Sequence, residues 1–362
     1  MQIGIVGLPN VGKSTLFNAL TKSYAAEAAN FPFCTIEPNV GIVNVNDDRL
    51  EKIRVVVNGA KTIPATVEFV DIAGLVEGAS KGEGLGNKFL SHIRNVDAIL
   101  QVVRDFNDSN VHHVNGSIDP KRDIEVINLE LIFADLETLD KRIGDNSKKA
   151  RSGDKEAKSR EDIYNRLKSH LEEGKIASLL EMTDEEKSAI ADLHLLTNKP
   201  FIYAVNVAED RVNTSESELR SITGITDKKI PVLPVSAKIE MDMLEFSDEE
   251  KKEFLSEMGI EFNPMDQIIR TCYDLLGLQY YFTAGEIEVR AWTIHKGWTA
   301  PEAAGVIHTD FQKKFIKADT VNWQDLVENG GWTGAREKGK VRMEGKEYVV
   351  ADGDVMLFKF GA

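Results

Sequence analysis

The stretch Gly7-Leu8-Pro9-Asn10-Val11-Gly12-Lys13-Ser14 constrains this chain more than any other. It matches G-x-x-x-x-G-K-[ST], in which glycines let backbone N–H groups turn toward phosphate oxygens. The pattern has meaning only between a strand and a helix. Here the apolar run Gln2–Val6 precedes it, and a helix is predicted from Lys13 to about Leu20. The positive dipole end of that helix adds to the cradle. Asn10, Val11, Gly12, Lys13, Ser14 and Thr15 are therefore read as a phosphate site. Lys13 would reach the β- and γ-phosphates of a nucleoside triphosphate, and the Ser14 hydroxyl would bind Mg2+.

Such a loop belongs in a sheet whose strands are covered on both faces. Near-continuous apolar runs at Thr66–Val70, Ala98–Val103, Phe201–Val205 and Ile230–Val235 read as those strands. Helical segments separate several of them, so the expected fold class is α/β. Asp71 closes the second run, where a carboxylate lies beside the phosphate loop. Its expected task is Mg2+ contact through water, and the Gly74 N–H can meet a γ-phosphate. From Glu77 to Asn87 the chain carries Gly78, Gly82, Gly84 and Gly86. That stretch suits a switch that orders around the γ-phosphate.

Two further segments fall where a nucleotide base would be read. Asn206-Val207-Ala208-Glu209 follows one strand, and Ser236-Ala237-Lys238 follows the next. A guanine reader usually has Asn-Lys-x-Asp at the first position, and its Asp accepts from N1–H and the N2 amino group. Here Val207 and Glu209 stand in place of the Lys and the Asp. The extra methylene of Glu209 misplaces that bidentate fit, and a buried polar mismatch costs about 1–3 kcal/mol. Adenine offers a donor at N6 and an acceptor at N7, which both ends of the Asn206 amide can meet. The base site thus favours ATP over GTP, while Asp210, one residue on, keeps a guanine contact open.

Between residues 121 and 199 the texture changes. Leu129, Ile132, Leu136, Leu139 and Ile143 recur at spacings of three and four, a coiled-coil seam. Ile163, Leu167 and Leu171 suggest a returning helix, so a helical hairpin is expected with the polar stretch Gly144–Arg160 between the two arms. Thr183 with Glu186 and Ser247 with Glu250 make capping boxes, and Gly259 is a plausible stop for the second helix. After about residue 277, strand-like runs at Ile287–Ile294 and Tyr348–Phe360 flank a short helix at Thr299–Ile307. These make a separate α+β domain over 278–362.

Charge narrows the partners. Lys and Arg number 44 against 59 Asp and Glu, so the formal net charge is −15 and a general polyanion binder is excluded. Yet Lys141 to Arg160 holds eight basic and three acidic side chains, a local net of +5 at the hairpin tip. That is a candidate contact for a phosphate backbone. A second basic group, Lys313, Lys314, Lys317, Arg336, Lys338, Lys340 and Arg342, lies in the C-terminal domain. The two cysteines, Cys34 and Cys272, have no zinc spacing and suit a reducing compartment. No apolar run approaches the roughly 18–20 residues that span a bilayer. Met1–Val6 reads as a buried strand and not as a leader. The expected location is cytoplasmic, with no membrane contact.

With these motifs in order, the sequence resembles the YchF family, Obg-like ATPases within the translation-factor class of P-loop NTPases. The resemblance rests on Gly7–Thr15, Asn30–Asn39, Asp71–Val76, Gly82–Leu90 and Asn206–Glu209, and it covers essentially the whole chain. Ala291–Ala300 and Ile307–Phe311 resemble a TGS domain, a β-grasp fold. The resemblance implies a P-loop NTPase G domain over 1–120 and 200–277 with a coiled-coil hairpin inserted at 121–199. It implies ATP preference and ribosome association through the hairpin tip and the TGS-like domain. It also implies that Thr35 is the switch threonine and an Mg2+ ligand, which spacing alone does not establish. Leu75 stands where Ras-like enzymes carry a Gln, so it cannot orient the attacking water. The resemblance points instead to the loop at Val111–Val114, where His113 would position that water. It also likens Asn10 to a K+-binding asparagine, whose ion would add charge near the β–γ bridge. The expected function is a slow ATP-dependent switch on ribosomes. The alternatives are a nucleotide-stabilised adaptor with incidental turnover, or a GTPase.

Overall fold

The computed structural model describes residues 1–23, 39–72, 85–108, 117–260 and 263–361. Twelve strands fall within them. In the first part of the chain they are β1 (Gln2–Val6), β2 (Val40–Val45), β3 (Thr62–Ile63), β4 (Ala65–Asp71) and β5 (Ala98–Asp105). Next come β6 (Phe201–Val207), β7 (Val232–Val235), β8 (Leu278–Ala284) and β9 (Val289–His295). The last are β10 (Phe315–Asn322), β11 (Arg342–Glu344) and β12 (Asp354–Phe360). The described residues form two compact units. One holds Met1–Ser23, residues 39–41 and Glu68–Ile268; the other holds Ile42–Val67 and residues 269–361.

The first unit is built on a parallel run in the order β4-β1-β5-β6-β7. β6 is buried along its whole length, and β5 is buried up to Asp105, as helix-covered parallel strands require. β7 begins at Val232, two residues later than the apolar run suggested. Ile230 instead donates its N–H to Asp227 in a turn, and Pro231, which has no N–H, follows it. Pro234 is tolerated because β7 ends the run.

The insertion is an antiparallel pair of helices, Pro120–Arg151 and Lys155–Glu172. Asp119 caps the first by accepting from the Arg122 N–H, with Pro120 in the first turn. The expected polar connection from Gly144 to Arg160 is mostly helix. The turn is only Ser152, Gly153 and Asp154, and Asp154 caps the returning helix through the Glu156 and Ala157 N–H groups. Ile132, Leu139, Ile163, Leu167 and Leu171 are buried between the arms and the sheet. Leu129, expected in that seam, is 41% exposed, while Ile127 and Leu131 are buried in its place. Near the tip, buried Asn146 donates Nδ2–H to the Ala157 carbonyl at 2.6 Å. Both anticipated capping boxes, Thr183–Glu186 and Ser247–Glu250, are formed.

The second unit is a mixed sheet in the order β11-β10-β12-β8-β9-β3. Ala300, Ala303 and Ala304 of the helix Ala300–Ile307 pack with Tyr281, Ile294, Phe315 and Met356. Three small side chains on one helical face let it lie close to the strands. The run Tyr348–Phe360 is a strand only from Asp354, because Asp352-Gly353 forms a turn with Gly353 at φ 83°. Residues 42–67 belong to this unit because β3 pairs in parallel with β9.

Candidate functional site

The loop between β1 and the helix Lys13–Ser23 sits at the carboxyl ends of the parallel strands. Gly12 has φ 98°, and a Cβ there would strike the Asn206 amide, so only glycine fits. Asn10 adopts the left-handed region at φ 63°. Lys13 is 7% exposed, and its ammonium donates to the Leu8 carbonyl at 2.8 Å. Burial lowers its pKa from 10.5 to about 8, against the Asp71 carboxylate, which pulls it up. A lysine held this way is a desolvated cation that an incoming phosphate can take over from a carbonyl.

Asp71 ends β4, next to β1. The Ser14 hydroxyl donates to Asp71 Oδ2 at 3.0 Å. The other oxygen, Oδ1, is buried and has no hydrogen-bond partner among the described residues. A buried acceptor without a donor is costly, and a bound water or ion accounts for many such cases. A hard cation and its water shell match this hydroxyl–carboxylate pair. Among the described residues, no three His, Cys, Asp or Glu side chains cluster to hold a metal by themselves. That suits an ion completed by phosphate oxygens and water. Of the expected site residues, Thr35, Gly74 and His113 lie outside the described residues, as do Leu75 and most of the 77–87 segment.

Beside the loop lies a cavity of about 600 Å3. Asn10, Gly12 and Thr15 line it from the phosphate side. Asn206, Val207 and Glu209 line it after β6, and Ser236, Ala237 and Lys238 after β7. Sequence reasoning thus named residues that the fold gathers from three separate stretches. It missed Phe106, Asp108 and Met241 on the same wall. The available signal was Arg104, a charged residue ending an apolar run.

Asn206 is engaged by backbone at both ends of its amide. Its Nδ2 donates to the Val11 carbonyl at 2.9 Å, and its Oδ1 accepts from the Ala237 N–H at 3.0 Å. The side chain is 4% exposed. Both ends of the amide therefore bind backbone, joining the phosphate loop to the segment after β7. Each end keeps one further hydrogen-bonding position, which the expected contacts with N6 and N7 of adenine would have to use. Glu209 faces the cavity and accepts from Lys238 Nζ at 2.8 Å. Asp210, the residue that kept a guanine contact open, is exposed and is not part of the cavity wall.

Comparison with known proteins places this chain among relatives. Residues 2–133 match the family model described as "50S ribosome-binding GTPase". Residues 278–361 match the YchF GTPase C-terminal model, described as a protein of unknown function. The chain is 56% identical over 365 residues to the "Ribosome-binding ATPase YchF" of Bacillus subtilis (strain 168), with 99% of each covered. It is 52% identical over 360 residues to the protein of the same name from Escherichia coli O157:H7, again with 99% of each covered. A solved structure, "Structure of the Schizosaccharomyces pombe YchF GTPase", superposes with TM-score 0.88 at 38% identity. That superposition covers 99% of this chain and 97% of the other.

Proposed function

The chain belongs to the YchF family, and on that premise we propose that it is a P-loop nucleoside triphosphatase acting as a slow, ATP-preferring switch that binds ribosomes in the cytoplasm. The observation that carries this reading is the Lys13–Ser14–Asp71 cluster, with a buried oxygen that has no partner among the described residues. The names of the bacterial relatives support ATP hydrolysis and ribosome binding. Among the described residues no helix is long and apolar enough to cross a membrane.

In this reading the G domain is 1–120 with 200–277, the hairpin is 121–199 and the TGS-like domain is 278–362. Ser14 and Thr35 would hold Mg2+, with Asp71 supporting it through water. The ion, when bound, would supply positive charge against the phosphates. Lys13 leaves the Leu8 carbonyl for the phosphates, and the Gly74 N–H meets the γ-phosphate. His113 positions the attacking water or takes its proton. Asn10 would hold K+, whose charge would add to that of the phosphate loop. Glu209, one methylene longer than aspartate and already paired with Lys238, disfavours guanine. GTP then binds more weakly than ATP. The basic hairpin tip and the TGS-like domain meet ribosomal RNA.

Direct binding of ATP and GTP, with Mg2+ and K+ present, to wild type and Glu209→Asp tests the base site. Tighter ATP binding by wild type, shifted toward GTP by the variant, is expected. Tighter GTP binding by wild type sinks the ATP reading. Phosphate release with and without ribosomes then separates a switch from an adaptor, which Leu75 favours. Turnover that ribosomes leave unchanged, with nucleotide-dependent binding retained, selects the adaptor.

A further inference from the structure

Arg104 heads the largest fully buried side chains of the described residues and is 1% exposed. It occupies the penultimate position of β5, after six buried residues of which five are apolar. A buried guanidinium is tolerated only where its donors and charge are engaged. Its Nε donates to the Phe106 carbonyl at 3.1 Å, and its Nη1 reaches the Asn10 carbonyl at 3.4 Å. Its Cζ lies 4.4 Å from the centre of the Phe106 ring. Phe106 and Asn10 both line the 600 Å3 cavity, and Asn10 belongs to the phosphate loop. One side chain therefore touches a ring on the cavity wall and the strained turn of the loop.

We propose that Arg104 is a positioning residue that couples the base side of the cavity to the phosphate loop. Stacked on Phe106, the guanidinium fixes the ring's place on the wall. Through the Asn10 carbonyl it supports a left-handed residue that would otherwise relax. Any shift of the Phe106 ring on base binding is then felt at Asn10. Lysine cannot replace it, because only a planar fork can stack and donate in two directions at once. This inference rests on reading the cavity as a nucleotide site.

The test measures affinity for ATP and for inorganic tripolyphosphate, together with kcat, KM and thermal midpoint. Wild type, Phe106→Leu, Arg104→Lys, Arg104→Met and the double variant Arg104→Met/Phe106→Leu are compared. Phe106→Leu is expected to weaken ATP but to leave tripolyphosphate within about twofold, raising KM and sparing kcat. Arg104→Met is expected to weaken both ligands by about tenfold and to lower kcat as well. Arg104→Lys should keep the charge yet behave like Arg104→Met, and it serves if the methionine variant does not fold. The double variant should bind ATP no more weakly than Arg104→Met, because the Phe106 contribution passes through Arg104. Folded Arg104 variants within about twofold of wild type for both ligands overturn the proposal, and so do multiplicative effects in the double variant. Failure of wild type to bind ATP at all is a different result. It removes the nucleotide-site reading itself.

Discussion

Ser14 and Asp71, 57 residues apart in sequence, meet through a 3.0 Å hydrogen bond that uses one carboxylate oxygen and leaves the other buried with no partner among the described residues. The adjacency of β1 and β4 creates the pair, with Ile5 opposite Asp71 in register. If it holds Mg2+, its members contribute unequally. Ser14→Ala removes a ligand that is specific to the ion. Asp71→Asn keeps the size but cancels a charge and adds a donor where a cation's water should sit. Both variants are expected to need about tenfold more Mg2+ for half-maximal ATP hydrolysis, with the larger shift for Ser14→Ala. Unchanged Mg2+ titrations in both would remove the ion from this pair.

The Lys238–Glu209 contact at 2.8 Å bears on base choice. Both side chains are well exposed, 69% and 46%, so the pair itself contributes little stability. In the proposed reading, it occupies the carboxylate that guanine would need. Lys238→Met frees Glu209 and should tighten GTP several-fold, while ATP changes less. Competition binding with a fluorescent nucleotide reads the ratio. A GTP affinity that falls along with that for ATP would mean Lys238 packs on either base and plays no part in discrimination.

What the sequence disclosed, and what it concealed, divides along the range of the interactions. Gly12, Lys13 and Ser14 were legible because their chemistry is local, set by a strand, a turn and a helix in eight residues. The place of Glu209 on the cavity wall was legible because it directly follows β6. The state of Asn206 was not, since it depends on Val11 and Ala237, 195 and 31 residues away. Arg104 was hidden for a similar reason. A charge ending an apolar run looks like a strand boundary until the loop it supports is placed beside it. The hairpin seam was only partly readable, because the helix Pro120–Arg151 also packs on the sheet, which changes which face is buried and leaves Leu129 outside.

The hairpin tip offers a charge test. Lys149, Arg151, Lys155 and Lys158 are exposed in an acidic chain, and Lys148 and Arg160 are partly engaged with Asp145 and Glu156. Changing those four exposed residues to Gln should weaken ribosome co-sedimentation. It should also flatten its salt dependence, with the slope falling by about 0.7–0.9 for each phosphate that is no longer neutralised. The free enzyme's ATP turnover should not change. A weaker complex with an unaltered salt slope would assign the tip to protein contacts instead of RNA.

Glu240 sets a pH dependence separate from the nucleotide site. It lies in the helix Ala237–Asp242, is 2% exposed, and its Oε1 has no hydrogen-bond partner among the described residues. Burial raises its pKa from 4.5 to about 8, Asp266 adds to the rise, and Lys251 opposes it. The folded chain therefore keeps a proton that the unfolded chain gives up between pH 4.5 and about 8. Over that window the native state binds more protons, so stability falls as pH rises, by up to about 1.4 kcal/mol per pH unit. Below pH 4.5 both states are protonated and the group no longer contributes to the slope. Glu240→Gln mimics the protonated form, so it should remove this slope and leave the variant more stable than wild type near pH 8. Urea unfolding of both proteins at pH 5.5 and pH 8 measures the difference. Equal pH dependence in the two would show that the Glu240 carboxylate finds a compensating partner once ionised.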